Sequence, residues 1–450
     1  MINLLSPVNN ILRNPLRVLN HLDLINRKLK IASKWSLIWN SESVNRSFQS
    51  IKIRDIVLDL KENIIDIQEA INGIQKVNNT HDGDIVHDMI ECYNTGLLEF
   101  HPTDICDLSC IECHYRSKED DTIPFSQVGR LLKGLSPRAI TVTGGGEPNV
   151  YKSESKNMND LILEINQVLP DTDVGLINNN TQIPPGDWVN HIAWQRSSID
   201  ASSQKTYLEL KRADKFNKAV GNVKKLLHNT NIPFVGIGFL YRNENVHEIK
   251  DFIESWFTWF KNETEEIQRR FNIQFRSISP AIDTVEDKRK DKSVYINSKF
   301  RNILHGEVDK VINISEKDDD FKSFILNNTN FGSLVKDRDN GNIPYLHAPR
   351  RFNNCYNALT HRVLRANGDE YPDFLLCNFP NLSLGNTFKN NSDEEKVKIS
   401  LMQFYYFNRE CAYCNPEICR QGWVSKTVED YYNGVFTADT IDKIPLNYFF

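Results

Sequence analysis

Leu97-Leu-Glu-Phe100-His-Pro-Thr-Asp-Ile-Cys106-Asp-Leu-Ser-Cys110-Ile-Glu-Cys113 joins a short apolar run to three thiols within eight residues. The run Leu97–Phe100 reads as a strand, and the thiols follow in the loop that leaves it. At the spacing Cys-x3-Cys-x2-Cys, a loop can fold three thiolates onto one metal centre. Further apolar runs follow at Ala139–Val142, Val174–Ile177, Ser197–Ile199, Phe234–Leu240 and Ile273–Ile278. Between them lie stretches of helical spacing, such as Phe216, Val220, Val223 and Leu227. Strands that alternate with helices predict parallel βαβ units closing into a barrel or partial barrel. In such folds chemistry gathers at the carboxyl ends of the strands, where this loop sits.

The chain around this stretch has 450 residues, enough for two or three domains, and its 40% hydrophobic content supplies sizeable cores. With 54 basic and 59 acidic side chains, the net charge of -5 offers no general attraction for nucleic acid or anionic membrane. No apolar run approaches the length of a membrane span, and Arg13, Pro15 and Arg17 interrupt the N-terminus before a signal-peptide core could form. A cytoplasmic protein without nucleic-acid or membrane partners is expected. Nine cysteines without an export signal point to metal binding or catalysis rather than to a disulfide framework.

The cysteines fall into three groups: Cys92 alone, then Cys106, Cys110 and Cys113, then Cys355, Cys377, Cys411, Cys414 and Cys419. Five regions are expected. Residues 1–95 read as helical, with Ile53, Val57, Leu60, Ile64, Ile67, Ile71 and Ile74 forming an amphipathic stripe that docks on the body. Residues 96–282 carry the strands, and 283–350 form a solvated connecting insertion with some helix. Residues 351–425 are a compact cysteine-rich unit, and the tail 426–450 docks back through its terminal aromatics.

Several centres could use the first thiol group. Zinc prefers four ligands, and only the adjacent His114 offers a fourth. Cys110-Ile-Glu-Cys113-His114 matches a haem-attachment pattern, which belongs to exported proteins. A thioredoxin-like redox pair does not need Cys106. An iron–sulfur cluster held by three thiolates leaves one iron open to a ligand.

That last arrangement resembles the radical S-adenosylmethionine (SAM) enzymes. In that family, three such cysteines hold a [4Fe-4S] cluster whose open iron chelates SAM, and one electron cleaves SAM to a 5'-deoxyadenosyl radical. The resemblance implies an α/β fold, a partial (β/α)6 TIM-like barrel flanked by the N-terminal helical region and a small C-terminal cysteine-rich α+β domain. It is strengthened by Thr143-Gly144-Gly145-Gly146-Glu147-Pro148 at the end of the second strand. On its own this segment could be a Gly-rich turn; in the family, the matching Gly-Gly-Glu-Pro contacts the SAM amino group. Asn179 resembles a family position after the third strand. Ser198 and Asp200 would lie near the ribose, and Arg212 falls where relatives pair an arginine with the SAM carboxylate. Where relatives carry an aromatic before the third cysteine this chain has Glu112, so the resemblance implies that His114 or Tyr115 contacts the adenine or that the adenine sits differently.

The second group surrounds the tight-turn signal Asn367-Gly368-Asp369 and precedes no second CxxC pair, its spacings being 22, 34, 3 and 5 residues. A zinc ribbon is one reading. The order resembles the SPASM and Twitch auxiliary domains of radical SAM enzymes, which implies at least one auxiliary [4Fe-4S] cluster on Cys355, Cys377, Cys411 and Cys414. Cys419 is then a spare or alternative ligand. Cys92 and Cys419 could be packing thiols or hydrogen-atom donors to a substrate radical. The resemblance implies a peptide maturase, acting on a ribosomally made precursor peptide by epimerisation or crosslinking and fed by flavodoxin or ferredoxin. A dehydrogenase of a sugar or aminocyclitol alcohol is the alternative enzyme. A non-catalytic zinc or electron-transfer protein is the alternative outside catalysis.

Overall fold

The computed structural model describes residues 19–40, 85–111, 113, 120–277, 298–339, 355–372, 383–388, 393–407 and 422–435. The Ile53–Ile74 stripe, Glu112, His114, Tyr115, Cys377, Cys411, Cys414, Cys419 and the terminal aromatics lie outside the described residues.

Six parallel strands form in chain order: β1 (Leu97–Phe100), β2 (Ala139–Val142), β3 (Asp173–Asn178), β4 (Trp194–Ser198), β5 (Phe234–Tyr241) and β6 (Phe271–Ser277). Each of the six expected apolar runs coincides with one of them over most of its length; Ile199 falls just past β4, and Ile278 lies outside the described residues. Each neighbour pair is sequential, β1 to β2 through β5 to β6, and every crossover carries an α-helix except the one from β3 to β4, which holds only the 3-10 turn Trp188–Asn190. The crossover helices are amphipathic for that purpose. Residues Phe125–Leu135 bury Val128, Leu131, Leu132 and Leu135, and Met158–Val168 begins with a capping box formed by Asn157 and Asp160.

Register decides what each face of this sheet can do. Leu98, Phe100, Ile140, Val142, Val174, Leu176, Val235, Ile237, Phe239, Ile273 and Phe275 belong to one core cluster with the helix side chains. On the opposite face, Glu99 aligns with Thr141 and Gly175, then with Trp194. One step further along, Arg196 aligns with Gly236 and Asn272, and Ser198 with Gly238 and Gln274. The helices therefore pack on the apolar face, while the other carries polar, charged and small residues. Gly236 and Gly238 leave room on that face: the Arg196 side chain lies over Gly238 and donates to the side-chain Oε1 of Gln274 on β6.

The C-terminal residues depart from the expectation of a small separate domain. Strand β7 (His361–Leu364) pairs in parallel with β1, matching Leu97 to His361 and Phe100 to Leu364. Strands β8 (Asp369–Tyr371) and β9 (Gly385–Asn386) continue antiparallel, giving one nine-stranded sheet. The physical reason lies at β1, whose outer edge in an open sheet presents unpaired backbone groups that β7 satisfies. The expected turn between β7 and β8 is present, with Gly368 at φ 86°. Only a residue without Cβ takes up that backbone freely.

The insertion expected to be solvated is only partly so. Its described residues form three helices, Ser298–Ser315, Asp319–Asn328 and Phe331–Asp339, and bury Val308, Val311, Phe321, Phe324, Ile325 and Leu334 in the main core. Asn330 accepts from the Phe275 N–H and donates to the Phe275 carbonyl, covering the free edge of β6. The charge-dense stretch was read by its surface, whereas its apolar residues recur every three or four positions. At the other end, helix α1 (Leu22–Asn40) buries Leu24, Ile25, Lys28 and Ile31. No described helix is long and apolar enough to cross a membrane.

Candidate active site at the carboxyl ends of the strands

The cysteine loop leaves β1 and is tied down at three places. At its start, the Gly146 N–H donates to the Thr103 carbonyl (2.8 Å) and the Glu147 N–H to the Ile105 carbonyl (2.8 Å). This contact explains two of the glycines. A Cβ on Gly145 would lie 1.8 Å from Asp104 Oδ1, and one on Gly146 would lie 2.0 Å from the Ile105 carbonyl oxygen. The Gly-rich segment is therefore required for backbone-to-backbone approach between the second strand end and the loop, whatever else it contacts.

In the middle, Asp107 gathers four donors. Its carboxylate accepts from Lys215 Nζ (2.8 Å), Thr181 Oγ1 (2.5 Å), Asn179 Nδ2 (2.7 Å) and Gln182 Nε2 (3.3 Å). Although half-burial opposes ionisation, these donors hold its pKa down at about 2. At its far end, the loop runs beside helix α5, the fifth helix described (Gln204–Lys211). The Ser109 and Ile111 N–H groups donate to the Lys211 and Leu210 carbonyls, which are unsatisfied at a helix C-terminus. Strand ends β1, β2 and β3 and the end of α5 thus converge on one loop. Cys106 and Cys113 are exposed and Cys110 half-buried. Desolvation pushes the Cys106 thiol up to about 11, so binding a metal there would release its proton.

Among the other expected residues, Glu147 is buried at 3% exposure and bridges strand ends. Its Oε2 accepts from the Asn179 N–H (2.6 Å) and its Oε1 from the Asn149 N–H (3.1 Å). Burial outweighs those bonds and pushes its pKa up to about 8. Pro148 opens a short turn of helix behind it. Asp200 adopts φ 58°, and its two oxygens accept from Lys211 Nζ (2.5 Å) and the Leu240 N–H (2.6 Å). Ser198 is half-buried at the end of β4, on the polar face.

Arg212 is the exposed left-handed cap of α5, whereas its neighbour Lys211 is buried and paired with Asp200. Sequence reading also missed Asp107, Thr181 and Lys215. A carboxylate between two cysteines of a ligand motif was the available signal for Asp107; Thr181 and Lys215 had none.

Cys92 sits at 1% exposure in the core, just before β1 and so at the opposite end of that strand from the loop. Desolvation pushes its thiol up to about 11. Packing accounts for its position. In the second group only Cys355 is described. Its N–H donates to the Phe407 carbonyl (2.8 Å), and the next N–H, of Tyr356, donates to Ser425 Oγ (3.0 Å). Cys355 thus lies beside Phe407, and its neighbour Tyr356 beside Ser425, while residues 408–421 lie outside the described residues.

No protein-family model matches the chain. No curated protein matches it either. Among solved structures, it is similar to Streptococcus suis SuiB bound to S-adenosylmethionine, at 13% identity over 84% of this chain and 90% of that one, with a TM-score of 0.45. SuiB bound to precursor peptide SuiA gives 14%, 73%, 70% and 0.46. BtrN in complex with AdoMet and 2-DOIA gives 11%, 72%, 92% and 0.34. At these identities and TM-scores the likeness decides no chemistry, which rests on this chain's own residues.

Proposed function

We propose that this chain is a radical SAM enzyme whose cluster is held by Cys106, Cys110 and Cys113. One observation carries the reading. The three-cysteine loop and the Gly144–Pro148 segment, which the sequence singled out separately, are hydrogen-bonded to each other at the carboxyl ends of a parallel sheet. The donor set fits the group: three soft thiolates suit iron–sulfur ligation, and a glycine backbone beside them leaves space that side chains would fill. When bound, the cluster and SAM would supply a 5'-deoxyadenosyl radical that removes a hydrogen atom from substrate.

The protein's own residues would do the rest. Asp107 holds the loop against the third strand end, and Glu147 locks the second strand end to the third. Asn179 joins them, donating its side chain to Asp107 and its N–H to Glu147. The polar face that bears Ser198, Arg196 and Gln274 would receive substrate and SAM, with the helix-covered face excluding water from behind. Tyr115 is proposed at the adenine, and Arg212, exposed at the end of α5, at the SAM carboxylate.

We further propose an auxiliary [4Fe-4S] cluster on Cys355, Cys377, Cys411 and Cys414, with Cys419 as spare ligand or hydrogen-atom donor. The position of Cys355 beside Phe407, four residues before Cys411 in the sequence, favours it. A ribosomally made peptide is the proposed substrate class, modified by epimerisation or crosslinking, with flavodoxin or ferredoxin as electron source in the cytoplasm. It rests on the resemblance of a radical SAM core followed by an auxiliary-cluster region. SuiB, seen with a precursor peptide, illustrates such a partner.

Anaerobic reconstitution tests the reading. About eight irons per chain are expected for two four-iron clusters, and reduction in the presence of SAM should yield 5'-deoxyadenosine. Replacing Cys106, Cys110 and Cys113 together by Ala should abolish that product and about half the iron. Bound zinc with no SAM cleavage would defeat the enzyme assignment.

A further inference from the structure

Helix α5 carries the cysteine loop on its last carbonyls, and the protein clamps that helix at both ends. At its N-terminus stands Glu248, buried at 6% exposure just beyond β5. Its Oε1 accepts from the hydroxyls of Ser203 and Thr206 (both 2.7 Å), and its Oε2 from the Ser202 N–H (2.8 Å). Ser203 is itself the cap of α5, its Oγ accepting from the Thr206 N–H (3.2 Å). A carboxylate placed here also faces the positive end of the helix dipole.

At the C-terminus, Lys211 Nζ donates to Asp200 (2.5 Å), with the two side chains only 5% and 7% exposed. Asp200 lies just past β4, and its other oxygen accepts from the Leu240 N–H of β5 (2.6 Å). Asn245 closes this frame, donating its side-chain amide to the carbonyls of Asp200 (2.7 Å) and Leu240 (2.9 Å). A helix of eight residues is too short to be stable by its own backbone bonds, so these contacts decide where its end lies. That end receives the loop: the Leu210 and Lys211 carbonyls accept from the Ile111 (2.9 Å) and Ser109 (3.3 Å) N–H groups, one on each side of Cys110. A displacement of α5 would carry the loop with it.

We propose that Lys211 and Glu248 are positioning residues: by fixing α5 to the ends of β4 and β5, they set where Cys110 stands relative to the strand ends at which SAM would bind. This rests on the assignment of the cluster and SAM to this loop. Neither side chain is asked to touch the reacting groups, and each acts through α5.

Two measurements on the full chain test it. The first uses metal-free protein and follows amide hydrogen exchange over residues 108–111. Exchange there should quicken in Lys211→Met and return toward wild type in Lys211→Arg, which restores the cation. Arg362→Met, a change in the β1–β7 region, should leave those amides as in wild type. The second uses anaerobically reconstituted protein and follows the electron-paramagnetic-resonance spectrum of the reduced cluster as SAM is added. Per loaded cluster, Lys211→Met and Glu248→Gln should need about 10-fold more SAM for the same spectral change, the lower range for losing a partner that orients metal ligands. Unchanged exchange in Lys211→Met, or wild-type SAM affinity in both variants, overturns the proposal while leaving the cluster assignment standing. A wild-type loop that loads no cluster would instead defeat that assignment, and the exchange data alone would then decide whether α5 holds the loop. Should Lys211→Met fail to fold, Glu248→Gln carries both measurements at the other end of the helix, with the same expected and opposing results.

Discussion

Two of the regions where charged side chains are paired do different work in this molecule. At the cysteine loop, Asp107 and Asp200 shape a segment that must present thiols. At the seam where β7 joins β1, Arg362 is entirely buried and donates to Glu370 (3.0 Å), to Gln403 (3.0 Å) and to the Tyr93 carbonyl. Tyr93 donates its hydroxyl to Glu370 (2.9 Å), its ring lies under the Arg362 guanidinium, and Lys28 reaches Gln403 (3.4 Å). Four sequence regions meet there: helix α1, the entry to β1, the β7–β8 hairpin and the helix Asp393–Phe407. The seam holds distant parts of the chain together, whereas the loop network orders one short segment. Removing a charge should therefore cost stability at the seam and function at the loop.

The largest stability effect is expected from Arg362→Met. It leaves Glu370 buried without its cation, and breaking a buried pair by removing one partner costs about 3 to 5 kcal/mol. Urea unfolding of the full chain should show that loss. Iron loading per folded molecule should stay near wild type, because the seam hydrogen bonds join Arg362, Glu370, Tyr93, Gln403 and Lys28 to one another rather than to the cysteine loop. A loss below about 1 kcal/mol would mean that the seam network is not what joins these regions.

The two regions were unequally legible in the sequence. The strands of the core announced themselves by apolar runs, and the loop by cysteine spacing, because both signals are local. The seam was invisible: Arg362 and Glu370 are eight residues apart in a hairpin, but Lys28, Tyr93 and Gln403 join them only after folding. The same limit explains Lys211. Periodicity offered nothing to choose it over Arg212, and only the left-handed turn that ends α5 sends one side chain inward and the other to solvent. Asp107 was readable in principle, whereas the β1–β7 pairing was not, because cysteine order marks which residues share a metal and not which strand edge they extend.

An intermediate effect is expected at acid pH, again at the seam. His101 and His361 lie fully buried on either side of the β1–β7 pairing, and desolvation is the main cause that pushes their pKa values down to about 3 and about 4. Arg365 lies nearby and disfavours a second positive charge on His101. Unfolding restores an ordinary pKa near 6.5, so between that value and the folded one the unfolded state binds more protons. The contribution is fully present above 6.5 and is lost as pH falls toward 4. At pH 5 the loss is about 2 kcal/mol for His361 alone. His361→Phe should flatten the stability profile between pH 6.5 and 4, and an equally steep profile in the variant would place the proton uptake elsewhere.

The smallest stability effect, and the sharpest contrast, is expected from Asp107→Asn. The Asp107–Lys215 pair is partly open to solvent, 16% and 32% exposed at its side chains, and pairs of that kind contribute about 0 to 1 kcal/mol. Asn keeps one acceptor oxygen but turns an amide toward donors that the carboxylate satisfied, Lys215 and Thr181 among them. The fold should hardly register the change in a thermal melt. The loop should, because partners that orient metal ligands are worth about 10- to 100-fold in affinity or activity when lost. Reconstituted iron content or the rate of 5'-deoxyadenosine formation should fall by about that factor, with urea stability close to wild type. If stability fell by as much as in Arg362→Met while SAM cleavage per folded molecule held, Asp107 would belong with the seam. The division between a network that joins the chain and one that orders its ligands would then be wrong.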